Sequence, residues 1–376
     1  MERFLLLPDS FKGTMDSRQV CSIMKRAILT HYPEAKVVSI PVADGGEGSV
    51  DAFLASQEGR KITTTVKGPF MEDMEASYAL LSDGTAILET ASCAGLPIAG
   101  DRKEPDKTTT YGLGQLMRHA VAQGCRKLVI GLGGSCTNDC GAGAAAGAGV
   151  IFKDSDNMPF VPTGGTLSKV VSIDMSGLDP AIKSVPIIAM CDVNNPLYGE
   201  NGAAYVFSPQ KGADPDMVES LDKELKAFAG IIMTELNEDI AHIPGAGAAG
   251  GLGAGMLAFF NAKLQRGIDT ILDTIGFDTL AEQTDYIFTG EGKLDAQSLS
   301  GKVVVGIARR AKKHHVPVVA VVGDIGDGID DIFNEGVTAI FSINRIAAPY
   351  SVLRTRSQSD MMLTMDSIIR LIKSRK

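Results

Sequence analysis

Residues 131–149 read GLGGSCTNDCGAGAAAGAG, and this run limits how the chain can fold more than any other segment. Seven of its nineteen positions are Gly and five are Ala, with the polar group Ser135, Thr137, Asn138 and Asp139 among them. The preceding KLVI (127–130) reads as a buried strand, and the Ala/Gly run that follows suits the start of a helix. Glycine removes the Cβ barrier to positive φ and lets successive N–H groups point at one ligand. A strand, such a loop and a helix N-terminus together make a seat for an anion, phosphate above all. The same residues also suit a tight turn followed by a close-packed helix, so the loop alone does not choose.

A chain of 376 residues exceeds the size at which one hydrophobic core stops growing, which predicts two domains. Gly makes up 42 of 376 residues, about 11% against an average of roughly 7%. The excess sits in a few loops, as in site construction and unlike low-complexity disorder. The net charge is −9, with Lys and Arg scattered, which argues against nucleic acid or an anionic membrane as partner. An anionic small substrate then needs a local pocket of Lys, Arg, N–H groups or a metal. The N-terminal apolar run FLLL is too short for a signal peptide, and no stretch approaches 18 apolar residues. Cys21, Cys93, Cys125, Cys136, Cys140 and Cys191 form no CxxC pair and have no zinc-spaced partners. They predict reduced thiols in a cytoplasmic protein.

Hydrophobic rhythm divides the chain. FLLL (4–7) and KVVSIPV (36–42) read as strands, each followed by a polar loop and a helix, the first helix capped by Asp16 or Ser17 with Val20, Ile23, Met24, Ala27 and Ile28 on one face. This β-loop-α rhythm predicts a parallel sheet with ligand loops at the strands' C-terminal ends. Segments 61–66, 75–81 and 85–89 read instead as successive antiparallel strands, and 216–236 as a long amphipathic helix. The βα rhythm returns at residue 284, with strands at 285–289, 316–322 and 337–343 and a C-terminal helix. The expectation is an α/β protein in two domains. A Rossmann-like domain built from both termini (1–60 and 284–376) carries an inserted mixed α/β domain (61–283), with the site in a cleft between them.

Several polar loops fall just after predicted strands. Asp9, Ser10 and Lys12 follow the first, and a mobile Lys beside a hydroxyl and a carboxylate suits a phosphate or carboxylate oxygen. Asp44 and Glu47 stand on a Gly-rich turn and suit Mg²⁺, a cation that takes oxygen ligands. Asp192 ends an almost uncharged strand as metal ligand or general base, with Asn195 beside it and Lys211 in the nearby PQKG. Glu291, Lys293 and Asp295 lie on TGEGKLD (289–295). The run GAGAAGGLGAG (245–255) contains a formal G-x-G-x-x-G, but DIAHIP is a poor first strand and no second strand precedes Asp269, so a dinucleotide fingerprint is rejected. A phosphate-binding helix start around Gly247, Gly250, Gly251 and Gly253 remains open. Walker A and protein-kinase motifs are absent, and no His has the companions of a nucleophile or zinc site. Together the loops ask for an anionic, oxygen-rich, metal-bridged ligand, which is what phosphoryl transfer presents.

The loops in this order resemble those of the bacterial-type (type 1) glycerate kinases. The matching segments are PDSFKG (8–13), PVADGGEG (41–48), TTYGLGQL (109–116), GLGGSCTNDCGAGA (131–144), CDVNNPLYGENGAA (191–204), FSPQKGA (207–213), GAGAAGGLGAG (245–255), GIDTILD (267–273) and TGEGKLDAQSLSGK (289–302). Cys136 and Cys140 depart from the smaller Ala and Gly that the family pattern leads one to expect. The resemblance implies phosphorylation of D-glycerate by ATP with Mg²⁺, and 2-phosphoglycerate as product. It also implies a flavodoxin-like domain from both termini with an inserted domain of restriction-enzyme-like fold. By the same token Lys12 and Lys211 neutralise substrate oxygens, Asp192 accepts the hydroxyl proton, and Asp44, Glu47, Glu291 and Asp295 contribute to the Mg²⁺ shell. Gly133, Gly134 and Ser135, and the 247–253 stretch, are phosphate cradles, unless the 131–149 loop holds glycerate through Ser135, Thr137 and Asn138.

The alternatives are a glycerate 3-kinase, a kinase of another small hydroxy acid, and a metabolite-binding protein without catalysis. A ring of carboxylates at strand ends disfavours the last, because a pure anion binder has no use for it. A homodimer is compatible with this reading.

Overall fold

The computed structural model describes residues 1–11, 13–42, 48–296, 298–300 and 302–374. They form two compact units, Met1–Asp44 with Ile268–Lys376, and Gly45–Gly267. The sequence-based boundaries at 60 and 284 differ from these for local reasons. The helix Ser49–Ser56 is tied into the second unit by its Val50 N–H, which donates to Glu89 Oε1 at 2.6 Å. At the other end, the helix Gly267–Thr274 reaches the first unit through Asp273, which pairs with Arg310.

The first unit is a five-stranded parallel sheet. Across the sheet the strands run Lys36–Ser39, Arg3–Pro8, Tyr286–Gly290, Val318–Val322 and Val337–Ser342. Numbered within the unit, that is 2-1-3-4-5, the flavodoxin-like doubly wound order. All five residues of Val318–Val322 are buried, as a strand covered on both faces requires. One face is closed by the helices Ser17–His31 and Tyr350–Lys373, whose Val20, Met24, Ile28, Met361, Met365 and Ile369 pack on Phe4, Leu6 and Phe288. Asp16 starts the first helix with a capping box. Its carboxylate accepts from Gln19 N (2.8 Å) while Gln19 Oε1 accepts from Asp16 N (3.0 Å). His314, at the basic end of its helix, meets Asp278 Oδ1 at 2.8 Å.

The second unit is a mixed six-stranded sheet in the order Lys263–Gln265, Ile187–Met190, Lys127–Gly131, Thr85–Glu89, Asp73–Leu81, Gly59–Lys67. Its first four strands are parallel and the last two join as antiparallel neighbours. The strand Lys127–Gly131 is therefore central, and the Gly-rich loop leaves from its C-terminal end. The long helix Pro215–Leu236 buries Leu221, Leu225, Phe228 and Ile232, the face read from its periodicity.

Glycine and alanine let helices here approach closer than side chains usually permit. A Cβ on Gly114, in the helix Tyr111–Ala122, would overlap the Ala144 carbonyl of the short helix Ala142–Gly147. A Cβ on Gly147 would likewise overlap the Tyr111 carbonyl. Gly114→Ala is expected to destabilise the protein by about 1–3 kcal/mol through overpacking. Gly230→Ala, in the exposed middle of Pro215–Leu236 with nothing near its Cβ position, should stabilise it by about 0.5–1 kcal/mol. Denaturant unfolding of the two variants against wild type checks the opposite signs.

Candidate active site

In the first unit, strand pairing brings two of the sequence-predicted loops together. Pro8 lies in register with Gly290, and Asp9 N–H donates to Gly290 O at 2.8 Å. Asp9 and Glu291, which follow these neighbouring ends, therefore stand side by side. This is the switch point of the 2-1-3-4-5 order, where open α/β sheets bind ligands beyond the strands' carboxyl ends. A cavity of about 330 Å³ lies here, lined by Asp9, Ser10, Glu291, Lys293, Asp295 and Lys302. Lys293 and Lys302 bring cations to it, a role that their place in TGEGKLDAQSLSGK does not reveal.

Glu291 is 8% exposed, and its Oε1 accepts from Ser298 Oγ at 2.7 Å. Burial is the main cause that pushes its carboxyl up to about 7; Ser298 and Lys302 oppose the rise, and Asp9 and Asp295 add to it. Such a group gives up its proton more readily once a cation stands beside it. Among the described residues no three His, Cys, Asp or Glu side chains are already arranged to hold a metal. Lys12, Asp44 and Glu47 lie outside the described residues.

The second unit builds the other candidate region. The strand Lys127–Gly131 ends at an exposed pair, Gly133 and Gly134, and every residue from Ser135 to Cys140 is then buried. Each of five successive loop residues is clamped, Ser135 and Thr137 by the same lysine. Lys211 Nζ donates to Ser135 Oγ (3.1 Å) and to the Thr137 carbonyl (2.6 Å). Thr108 Oγ1 donates to the Cys136 carbonyl (3.0 Å), and Ser208 Oγ donates to Asn138 Oδ1 (3.1 Å). Asp139 accepts from Thr110 N (2.7 Å), Thr110 Oγ1 (2.8 Å), Gly141 N and Gly143 N (both 3.2 Å). Burial raises the Asp139 carboxyl above its usual range, and the Thr110, Gly141 and Gly143 donors oppose that rise. Sequence reasoning missed Thr108, Thr110 and Ser208. Their signal was present in the Thr run 108–110 and in FSPQKGA, where small hydroxyl residues sit just before or after turns.

Lys211 is 2% exposed and forms no ion pair among the described residues. Burial pulls its ammonium down to about 8, against weaker support from Cys136 and Asp139. Asp192 is exposed and accepts the Gly267 N–H at 3.0 Å, at the start of the helix Gly267–Thr274. Asn195 closes its own loop, donating Nδ2 to Asn201 O at 2.8 Å and receiving Gly247 N–H on its carbonyl at 3.0 Å.

The glycines of 245–255 serve close backbone approach. A Cβ on Gly247 would overlap the Pro196 carbonyl, one on Gly250 the Thr137 carbonyl, and one on Gly253 the Gly245 carbonyl; one on Gly251 would press on Leu197. Ala249, Gly250 and Gly251 all have positive φ (54°, 72° and 86°), so a left-handed turn precedes the regular part of this helix. That turn docks on the other Gly-rich loop, with Cys140 N donating to Gly250 O at 3.1 Å and Cys140 itself at φ 53°. Two non-Gly residues in the left-handed region thus meet where the two loops join, a local strain that the surrounding contacts sustain.

The depressed Lys211 ammonium fixes a stability trend. Its folded value of about 8 lies below the ordinary 10.5, so between these pH values the unfolded chain binds more protons. Wild-type stability should therefore rise relative to Lys211→Met as pH increases from 8 to 10.5, measured by urea unfolding at several pH values. A difference between the two proteins that does not change with pH contradicts the assignment.

With the geometry established, similarity to known proteins identifies the family. The family model described as the glycerate kinase family matches residues 4–373. The chain is 40% identical over 371 residues to the glycerate kinase of Halalkalibacterium halodurans, covering 98% of this chain and 96% of that one. It is 38% identical over 343 residues to the glycerate 2-kinase of Escherichia coli, covering 91% and 90%. A crystal structure of a Salmonella typhimurium LT2 protein assigned as glycerate kinase 2 superposes with a TM-score of 0.89 at 34% identity, over 99% of this chain and 98% of that one. Among the described residues no helix is long and apolar enough to cross a membrane. The chain belongs to the glycerate kinase family.

Proposed function

We propose that this kinase transfers the γ-phosphoryl group of ATP to the 2-hydroxyl of D-glycerate, giving 2-phosphoglycerate. Kinase membership implies ATP as the co-substrate. The 2-position is supported by a relative named glycerate 2-kinase, 38% identical over most of both chains. The observation that carries the chemistry is the cavity at the sheet's switch point, where three carboxylates and two Lys surround about 330 Å³. Bare anions are repelled by Asp9, Glu291 and Asp295. A nucleotide accompanied by a divalent cation is not, and its phosphate oxygens find Lys293 and Lys302 nearby.

The donor set suits Mg²⁺, which prefers carboxylate oxygen and is held by one or two carboxylates plus substrate phosphates. Glu291 and Asp295 would hold it, with Asp9 adjacent; Asp44 and Glu47 remain candidates from the sequence. When bound, the ion supplies charge neutralisation on the transferred phosphoryl group. The chain's own residues do the rest. Ser298 orients the Glu291 carboxylate, Lys293 and Lys302 draw charge from the phosphates, and Lys211 compensates substrate oxygens. Asp192 accepts the hydroxyl proton, and Lys12 adds a cation in the PDSFKG loop.

Three measurements test this reading. Product formed from ATP and D-glycerate should be consumed by enolase alone; a requirement for added phosphoglycerate mutase would identify the 3-phosphate. Glu291→Gln should raise the KM for magnesium–ATP about tenfold or more while leaving the KM for D-glycerate unchanged. Asp192→Asn keeps an oxygen for the Gly267 N–H, so the fold survives, and kcat should fall about 100-fold or more if this carboxylate takes the proton. Near-wild-type kcat would remove Asp192 from the mechanism.

A further inference from the structure

Among the described residues Lys211 is a buried cation without a counter-ion. Its ammonium meets only neutral acceptors, Ser135 Oγ and the Thr137 carbonyl, and two of its three N–H donors are used. The nearest acid that influences it, Asp139, already accepts from the backbone of Thr110, Gly141 and Gly143. A buried ammonium in that state is costly, and a bound anion would offset that cost.

The same loop carries two more anomalies. Thr137 Oγ1 and Asn138 Nδ2 are fully buried and have no hydrogen-bond partner among the described residues. Asn138 Oδ1 is taken by Ser208, so either orientation of its amide leaves one polar atom unpaired. Buried polar atoms are nearly always satisfied, and each exception calls for an explanation. Here the exceptions fall on adjacent residues, and the Thr137 carbonyl is itself a Lys211 acceptor.

We propose that Lys211, Ser135, Thr137 and Asn138 form the seat of the substrate's carboxylate, entered at the exposed Gly133–Gly134 turn. This rests on the glycerate kinase reading and identifies which group of the substrate the loop recognises. The donor count matches. The third Lys211 N–H, the Ser135 and Thr137 hydroxyls and the Asn138 amide give four donors, and a carboxylate offers about four lone-pair sites. Nucleotide phosphates fit the loop poorly. Gly141, Gly143, Gly147 and Gly149 of this loop and Gly247, Gly250, Gly253 and Gly255 of the second run are packed against protein atoms, and the loop's own carboxylate, Asp139, is taken up by Thr109, Thr110, Gly141 and Gly143. The acidic cavity of the first unit has the opposite chemistry, acceptors that demand a cation. The bare carboxylate belongs with the donors.

Thr137→Val is the decisive variant, because it removes a hydroxyl that has no partner in the protein and keeps shape and backbone carbonyl. Its thermal midpoint should match or exceed wild type. Binding of D-glycerate alone, measured by calorimetry without nucleotide, should weaken about tenfold, while the KM for ATP stays unchanged. Lys211→Met should abolish D-glycerate binding, and glyceramide, which lacks the charge, should not bind wild type. If Lys211→Met does not fold, Thr137→Val still decides. D-glycerate affinity within twofold of wild type, or a rise in the KM for ATP instead, overturns the assignment. Failure of the family reading looks different, since wild type would then form no product from ATP and D-glycerate.

Discussion

The second unit is organised around one uncompensated charge. Lys211 places an ammonium where water does not reach and holds it with a hydroxyl and a carbonyl from one loop. Those two bonds, with Ser208 on Asn138 and Thr108 on the Cys136 carbonyl, fix residues 135–138 so that Thr137 and Asn138 keep unused polar atoms. Asp139 completes the device. By accepting five donors it anchors the start of the helix Ala142–Gly147, and among the described residues it leaves the lysine without an ion-pair partner. Replacing the cation with an apolar residue would relieve a desolvation cost, which a bound anionic ligand offsets.

The first unit solves the complementary problem. Its strand order places the ends of Arg3–Pro8 and Tyr286–Gly290 next to each other, although paired positions lie 282 residues apart in a chain of 376. That adjacency gathers Asp9, Glu291 and Asp295 around one cavity, with Lys293 and Lys302 at its wall. Burial keeps Glu291 poised near neutrality. An acceptor-rich cavity and a donor-rich loop are the two environments that a metal-nucleotide and a carboxylate substrate require.

Much of this was legible in the sequence, for identifiable reasons. Parallel strands buried on both faces read as short apolar runs, so FLLL and VVAVV stood out, and the polar residues that follow such strands were the ones that line the cavity. The amphipathic faces of Ser17–His31 and Pro215–Leu236 were visible in their periodicity. What was hidden depends on tertiary contact. Nothing local distinguishes a glycine that cradles a phosphate from one that admits a neighbouring carbonyl, and Gly247, Gly250 and Gly253 are of the second kind. The left-handed turn at Ala249–Gly251 breaks a helix that the Ala/Gly composition appears to continue. The Val50–Glu89 bond, which moves a unit boundary, joins residues 39 apart. Lys211 was visible as a cation in a motif, but its burial was not, and the burial is what gives it meaning.

The most direct test of this account is the ionisation of Lys211 itself. In protein carrying ¹³C-labelled lysine, with the resonance assigned by its loss in Lys211→Met, the side chain should titrate near 8 without ligand. Saturating D-glycerate should then move that titration upward, because a bound carboxylate supplies the missing counter-charge. A lysine that titrates at the ordinary 10.5 and ignores D-glycerate would contradict it.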